Sequence, residues 1–279
     1  MYHQIGQLLP PDLVDGVGEQ TWEIPDWCFL PDAWSAAFLR GLRKLQLDGP
    51  VWEVGVGSAI NIFFLSMWFS QIKMFFSDYD ARAAEIAVRN LSGARVPGSR
   101  YDVLPGQWDL VANHRRKSPQ VGTLLACIPQ VALVPGQKLE DGDNEAHYYK
   151  PSEYPEAKLH HLGLGLNEAL LNRAREQKVL QNGGKIVLNL AGRPGLENLL
   201  GMFAVCGFVP RIVHQEVIVQ HAGTRLSFFE TMERQYGSQF EFFADPAATQ
   251  PICACHAEER RKAGKPIYHW LYVIEGTMM

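Results

Sequence analysis

Apolar residues in this chain fall into two patterns, short runs closed by glycine or polar residues and longer stretches with helical spacing. The short runs predict buried strands at residues 51–54, 73–77, 100–103, 123–128 and 185–190, with further strands from 207 and at 226–232. The longer stretches predict helices at about 31–42, 58–69, 80–91, 165–179 and 195–206. Because strands alternate with helices, we expect an α/β fold whose mostly parallel, seven-stranded sheet carries helices on both faces.

The same pattern divides the chain into three parts. Residues 1–48 are broken by prolines and predict a helical lead-in. Residues 49–234 hold the predicted sheet, and residues 235–279 predict a C-terminal extension packed on the same domain. Residues 134–159 show little periodicity, and a loop of that length inside a domain is usually functional or disordered. We therefore treat it as a candidate lid.

A glycine loop follows the first predicted strand. Residues 51–58 are Val-Trp-Glu-Val-Gly-Val-Gly-Ser, and Asp78 ends the next strand along the chain. Gly55 and Gly57 allow a tight turn and close approach of the backbone to a ligand, and an acid at the position of Asp78 accepts hydrogen bonds from ribose hydroxyls. The spacing is typical of a Rossmann-like βαβ unit that binds a nucleotide.

The details favour S-adenosylmethionine (SAM) over a dinucleotide. A pyrophosphate site needs a third glycine three residues after Gly57, where this chain has Ile60. The carboxylate of Glu53, just before the loop, would repel a pyrophosphate but suits the ammonium group of an amino acid. SAM carries an ammonium and a ribose without phosphate. We therefore predict SAM contacts from Glu53, Gly55, Gly57, Ser58 and Asp78.

Composition narrows the classes of partner. The chain has 279 residues and a formal net charge of −4, which disfavours a nucleic-acid partner. No basic-then-apolar leader is present, and the longest apolar run, 60–69, is too short to cross a membrane. The five irregularly spaced cysteines suggest reduced thiols in a cytoplasmic protein. Cys253, Cys255 and His256 lack a second ligand pair at zinc-like spacing, so we predict no metal.

A family resemblance begins at the end of the fourth predicted strand. Cys127-Ile128-Pro129-Gln130 stands where amide- and adenine-N-methyltransferases have Asn-Pro-Pro-Tyr, and its Ile-Pro-Gln resembles methionine S-methyltransferases. Other stretches similar to that family span most of the chain, namely residues 30–35, 162–166, 189–195, 240–243 and 250–253. Plant members carry a long aminotransferase-like C-terminal region, so the resemblance predicts a stand-alone bacterial-type version.

The resemblance implies a Rossmann-like class I SAM methyltransferase. Its expected reaction moves a methyl group to the thioether sulfur of L-methionine and gives S-methyl-L-methionine and S-adenosylhomocysteine. Such enzymes are associated with dimethylsulfoniopropionate or related sulfonium synthesis. Three alternatives stay open, which are another small thioether as acceptor, a relative of protein-glutamine N-methyltransferases, and a non-catalytic SAM-binding module. The residue Cys127, in place of asparagine, counts against the N-methyltransferase.

The resemblance also extends the set of site residues. A neutral thioether needs no general base, so no catalytic residue is predicted and positioning supplies the rate. Further cofactor contacts are expected from Tyr79, Asp102, Val103 and Cys127, and substrate contacts from Trp34, Pro129, Gln130, Tyr148 and Arg193. Arg193 would bind the substrate carboxylate. Each of these residues also has a purely structural interpretation. Arg193 would pair with a structural acid, and Asp102 would cap a turn. Trp34 and Tyr148 would pack as ordinary apolar groups. The sequence predicts no oligomeric state.

Overall fold

The computed structural model describes residues 1–17, 19–94, 100–104, 118–134, 136, 151–221, 224 and 226–279. Helices and a central, mostly parallel sheet confirm the predicted α/β class. The strands are β1 (Tyr2–Gln4), β2 (Thr21–Glu23), β3 (Val51–Val54), β4 (Lys73–Ser77), β5 (Arg100–Val103), β6 (Val121–Ala126), β7 (Leu180–Ala191), β8 (Phe208–Val219), β9 (Phe242–Phe243), β10 (Pro251–Ile252) and β11 (Tyr268–Met278). The helices are α1 (Ile5–Leu8), α2 (Pro11–Val14), α3 (Ala33–Leu42), α4 (Ile60–Trp68), α5 (Ala81–Ala94), α6 (Gly165–Glu176), α7 (Leu196–Val205), α8 (Ser227–Tyr236) and α9 (Ala254–Lys262).

The central sheet is parallel on one side and antiparallel on the other. Strands β5, β4, β3, β6 and β7 lie side by side and run parallel. The chain leaves β3 towards β4 and β5, then crosses to β6 and β7 on the opposite side. The strand order therefore reverses between β3 and β6, and in open α/β sheets ligands bind beyond the carboxyl ends of the strands at such a point.

The last strand lies inside the sheet, whereas the sequence analysis placed it in an extension. Strand β11 pairs antiparallel with β7 on one edge and with β8 on the other. Its residues from Leu271 to Glu275 are buried because both faces are covered. The two-residue strands β9 and β10 bring the sheet to nine strands within the described residues, rather than the seven predicted.

Residues 226–232 do not form the strand that we predicted, and this prediction is wrong. The segment begins helix α8, whose buried residues recur at the three-residue spacing of a helix. Leu226, Phe229 and Met232 are buried in a small cluster together with Ala254 and Ala257 of α9.

Helices cover both faces of the sheet. Helices α6 and α7 pack on one face, and α3, α4 and α5 pack on the other together with the lead-in residues. Helix α3 lies very close to the sheet, since a Cβ at Gly41 would stand 2.6 Å from Val273 Cγ2. This contact holds the C-terminal part of α3 against β11, and the hydrogen bond from Asn189 Nδ2 to the carbonyl oxygen of Trp34 holds the start of α3 near the carboxyl end of β7.

None of the helices in the described ranges combines the length and apolar character that crossing a bilayer requires. All five cysteines carry free thiols.

Candidate active site

The glycine loop is held against the end of β4. The backbone N–H groups of Gly55 and Val56 both donate to the carbonyl oxygen of Ser77, at 3.0 Å. Gly55 has a φ of 75°, and a Cβ there would come within 2.9 Å of Ile128 Cγ2. A side chain at this position would meet both backbone strain and a steric clash. Glycine at 55 therefore holds β3 and the segment after β6 close together.

Asp78 is positioned by the loop itself. Its Oδ2 accepts a hydrogen bond from the N–H of Gly57 at 2.9 Å, and its Oδ1 accepts one from the N–H of Asp80. The carboxylate thus stands directly beside the loop, as expected of a ribose-binding acid. The hydroxyl of the next residue, Tyr79, donates to Glu153 Oε1 at 3.1 Å. Tyr79 thereby ties this side of the glycine loop to the C-terminal part of the candidate lid.

Glu53 is fully buried, and one of its carboxyl oxygens has no hydrogen-bond partner among the described residues. Its Oε1 accepts a hydrogen bond from Asn61 Nδ2 at 2.7 Å, while Glu53 Oε2 and Asn61 Oδ1 are buried without partners among the described residues. Burial raises the pKa of Glu53 to about 8, and the nearby charge of Asp78 adds to this effect. Two unpartnered oxygens next to a glycine loop fit a cation such as the SAM ammonium. Asn61 was not among the predicted site residues.

The lead-in braces the loop from behind. Trp22 Nε1 and Asn90 Nδ2 both donate to the carbonyl oxygen of Ser58, at 2.6 and 3.0 Å. The next residue, Ala59, has a left-handed φ of 66°, a conformation that costs an alanine on the order of 1 kcal/mol. Neither Trp22 nor Asn90 was predicted from the sequence, because each meets Ser58 only through tertiary packing.

The edge strand β5 does not bring its predicted residues to the loop. Asp102 stands opposite Phe75, two residues before the end of β4, and its carboxylate pairs with Lys73 Nζ at 2.6 Å. Val103 is 41% exposed. On an edge strand these side chains face solvent, so the predicted contacts of Asp102 and Val103 with the adenine stay predictions.

The segment after β6 is fixed to β7 by Gln130. Its Oε1 accepts from the N–H of Ala191 at 2.8 Å, and its Nε2 donates to the carbonyl oxygen of Ala191 at 3.0 Å. Gln130 therefore pairs with backbone on both sides of its amide and acts as a brace, and Pro129 next to it directs the turn. The contact of Gln130 with substrate stays a prediction, and any such role would be one of positioning.

Trp34 lies at the centre of a second cluster, on the α3 face of the sheet. Its carbonyl oxygen accepts from Asn189 Nδ2 at 3.1 Å, and the same amide lies 3.5 Å from Cys127 Sγ. Its indole ring faces His269, with centroids 5.8 Å apart. Asp32 caps α3 by accepting a hydrogen bond from the N–H of Trp34. Asn189 begins a stretch that is similar to the family, but no site role was predicted for Asn189 or for His269.

The Cys127 thiol links the two clusters. Burial raises its pKa to about 12, and the charges of Glu53 and Asp32 both act on it in the same direction. The thiol therefore stays protonated at neutral pH. Cys127 is therefore close enough to both Glu53 and Asp32 for their charges to act on its thiol.

Arg193 is a buried cation without a counterion. Its side chain is 5% exposed, and no carboxylate lies within ion-pair distance in the part of the chain that the structure describes. The guanidinium carbon is 5.7 Å from the Trp34 ring and 4.9 Å from the Phe229 ring, and Nη1 donates to Gln220 Oε1. Burial lowers the pKa of Arg193 to about 10, so it stays charged. This arrangement fits an anionic ligand.

Two other predictions concern residues away from these clusters. Tyr148, the predicted lid contact, lies outside the described residues. We predicted no metal, and the donor atoms of Cys253, Cys255 and His256 come within 4.8 Å of one another at the start of α9. His256 is exposed.

No protein-family model matches the chain. A methyltransferase from Pyrococcus furiosus superposes with a TM-score of 0.50 at 14% identity, covering 95% of this chain and 92% of that one. A candidate methyltransferase from Bacillus halodurans also gives 0.50, at 12% identity over 86% of this chain and 97% of the other. These likenesses confirm the class I methyltransferase fold.

Curated relatives agree with the motif resemblance. Methionine S-methyltransferase from Zea mays is 30% identical over 90% of this chain, and that from Arabidopsis thaliana is 29% identical over 88%. The chain spans about a quarter of the length of these relatives, since the matches cover 25% of each. The predicted resemblance to methionine S-methyltransferases is confirmed.

Proposed function

We propose that this chain, which resembles methionine S-methyltransferases along nine-tenths of its length, transfers a methyl group from SAM to the thioether sulfur of L-methionine. The products would be S-methyl-L-methionine and S-adenosylhomocysteine. The observation that best supports this acceptor is the buried, uncompensated guanidinium of Arg193 beside Trp34. A substrate carboxylate would supply the missing counterion, and methionine carries one.

The residues around the glycine loop suit the cofactor. Glu53 Oε2 and Asn61 Oδ1 would accept from its ammonium, and Asp78 would accept from its ribose hydroxyls. Bound SAM supplies an electrophilic methyl group. The loop, braced by Trp22, would hold the bound cofactor in place at the carboxyl ends of the strands.

The chain itself contributes position rather than proton transfer. A neutral thioether is already a nucleophile, so in-line placement at about 3 to 3.5 Å is the main requirement. The neighbouring groups agree with this role, because the Cys127 thiol is protonated and burial lowers the pKa of His269 to about 3. Neither group would act as a base on a neutral sulfur, and neither adds a positive charge next to a forming sulfonium.

The direct test uses methyl-labelled SAM, the purified chain and L-methionine, with products identified by mass spectrometry. We expect labelled S-methylmethionine and S-adenosylhomocysteine in equal amounts. Absence of product while SAM still binds by calorimetry would contradict the proposed acceptor. Label on a protein glutamine, with free methionine inert, would favour the N-methyltransferase instead. A first step towards dimethylsulfoniopropionate belongs to the same proposal and rests on the resemblance.

Replacing Cys127 with alanine should leave methyl transfer within about tenfold of wild type. A thiol whose pKa is raised to about 12 is a poor nucleophile, so no methyl-cysteine intermediate is expected. Single-turnover kinetics measures the rate, and intact-protein mass spectrometry after SAM addition tests for a methyl adduct. A methyl adduct that forms in wild type and is absent from the alanine variant would show covalent catalysis through Cys127.

A further inference from the structure

Asp32 is a half-buried acid whose carboxylate is only partly used by the fold. Its Oδ1 accepts both hydrogen bonds of the α3 cap, from the N–H groups of Trp34 at 2.8 Å and Ser35 at 3.4 Å. Oδ2 lies outside this cap. Burial raises the pKa of Asp32, although the N–H groups of Trp34, Ser35 and Asp32 itself and the charge of His221 lower it. The effect of burial prevails, and removal of a carboxylate from water is unfavourable, so this position suits a positively charged ligand group.

Asn189 offers a second acceptor in the same cluster. Its side chain is 1% exposed, and its Nδ2 is committed to the Trp34 carbonyl oxygen and to Cys127. Its Oδ1 is buried without a partner in the described part of the chain. Buried amide oxygens are almost always paired in folded proteins, so an unpaired one beside a binding site points to a ligand donor.

The three polar groups are gathered around one residue. Asp32 caps the N–H of Trp34, Asn189 bonds its carbonyl oxygen, and Arg193 lies against its ring. The cluster therefore presents two oxygen acceptors and one cation around Trp34. Carboxylate and ammonium groups on a single carbon match this distribution of charge, and a ligand with a carboxylate alone would leave the acceptors unpaired.

The other nearby acid faces the opposite side of the sheet. Side chains alternate along a strand, so Leu188 and Leu190 lie on the α6–α7 face, whereas Asn189 points to α3. Glu241 lies on the α6–α7 face. Burial and the charge of Glu241 both raise the pKa of Tyr272, and Tyr272 packs with Leu190 on that face. The backbone N–H of Glu241 donates to the Arg193 carbonyl oxygen, so Glu241 is a nearby control that belongs to a different surface.

We infer that Asp32 and Asn189 Oδ1 form the receptor for the α-ammonium group of the acceptor, opposite the guanidinium of Arg193. This receptor rests on the proposed function and narrows it, because it selects α-amino acids over methylthio acids that lack the amino group. A specificity of this kind arises when buried polar groups lose their partner in the wrong ligand.

The test compares L-methionine with its deaminated analogue, in which hydrogen replaces the α-amino group. Binding of each is measured by calorimetry to the full chain saturated with S-adenosylhomocysteine, so that no turnover is needed. Wild type should prefer methionine. In Asp32→Asn the methionine Kd should rise about 10- to 100-fold, while the Kd of the analogue should change less than about twofold. Asparagine caps helices as well as aspartate does, so α3 should be retained.

The control variant Glu241→Gln should leave both dissociation constants unchanged. Equal weakening of both ligands in Asp32→Asn, or no change in methionine binding, would overturn the receptor. If the Asp32-dependent preference is present but wild type forms no S-methylmethionine, the receptor stands and the proposed reaction fails. If wild type methylates methionine and Asp32→Asn shows no selective effect, the reaction stands and the receptor fails. Failure of methionine to bind wild type would contradict both.

Discussion

Replacing Arg193 with methionine is expected to lower kcat/KM for L-methionine by about 100- to 1,000-fold, mainly through KM, with the SAM dissociation constant unchanged. A loss of 100- to 1,000-fold corresponds to about 2.7 to 4.1 kcal/mol, which lies within the roughly 2 to 5 kcal/mol that removal of one partner of a buried charge pair typically costs. A methionine side chain retains the apolar contacts with Trp34 and Phe229 that the guanidinium now makes. The missing interaction would thus be with the ligand.

Stability separates this effect from unfolding. An unpaired buried cation is costly, so its removal should leave the melting temperature of the ligand-free variant equal or higher. Arg193→Lys should recover part of the activity, since an ammonium keeps the charge without the bidentate fork. The surface variant Arg234→Met, whose side chain is 73% exposed on α8, should behave as wild type. An unchanged KM in Arg193→Met would remove Arg193 from the substrate site.

The deaminated analogue links this prediction to Asp32. Arg193→Met removes the partner of the carboxylate, which methionine and its analogue share, so both should bind more weakly by a similar factor. Asp32→Asn should affect only methionine. The pair of variants therefore assigns each charged group of the acceptor to one residue, which a general loss of folding could not imitate.

The spacing of apolar residues predicted the central strands and helices of the sheet, because these elements are long enough for that spacing to be recognised in the sequence. The strand at 73–77 and the turn through Gly55 are set by nearby residues, so the glycine loop followed from them directly. The last strand was misplaced because strand order depends on pairing between distant segments. The segment 226–232 was misassigned because its apolar residues fit both the alternating spacing of a strand and the spacing of a helix. Only its packing against α9 in the structure distinguishes the two.

The missed site residues share one physical reason. Asn189 bonds the carbonyl oxygen of a residue 155 positions earlier, and in the sequence it only interrupts an apolar strand. Asn61 likewise interrupts an apolar helix, and only the structure shows it against Glu53. Polar residues inside buried elements suggest function, but their partners depend on the tertiary fold. The predicted residue Gln130 shows the reverse, because its amide is occupied by backbone.

Glu53→Gln is expected to weaken SAM binding by about 100-fold and to remove its pH dependence. The glutamine keeps the hydrogen bond with Asn61 available but has no charge to offer an ammonium group. In wild type the pKa of Glu53 is raised to about 8, so this side chain is mostly protonated at pH 7 in the ligand-free protein. Binding of a cation requires the ionised form. SAM affinity should therefore increase as the pH rises from about 6 towards 8, as long as the ligand keeps its ammonium form.

Proton release offers a direct measure of this coupling. At pH 7, wild type should release most of one proton for each SAM bound, which calorimetry in buffers of different ionisation enthalpy detects. Glu53→Gln should release none at this site. The variant Glu85→Gln, on the exposed side of α5, should match wild type in both affinity and release. Equal SAM affinity in Glu53→Gln and wild type would contradict the assignment of Glu53 to the ammonium.

The same group makes the ligand-free protein less stable at higher pH. The unfolded chain loses the Glu53 proton near its ordinary pKa of 4.5, whereas the folded chain keeps it until about 8. The free energy of unfolding should therefore fall between these values, by about 2 kcal/mol from pH 6 to pH 8 for this group. Denaturant unfolding of wild type and Glu53→Gln over this range isolates the contribution. With saturating SAM, the free energy of unfolding of wild type should fall less between pH 6 and pH 8. The bound ammonium group then compensates the Glu53 carboxylate, which the ligand-free protein must bury without a counterion.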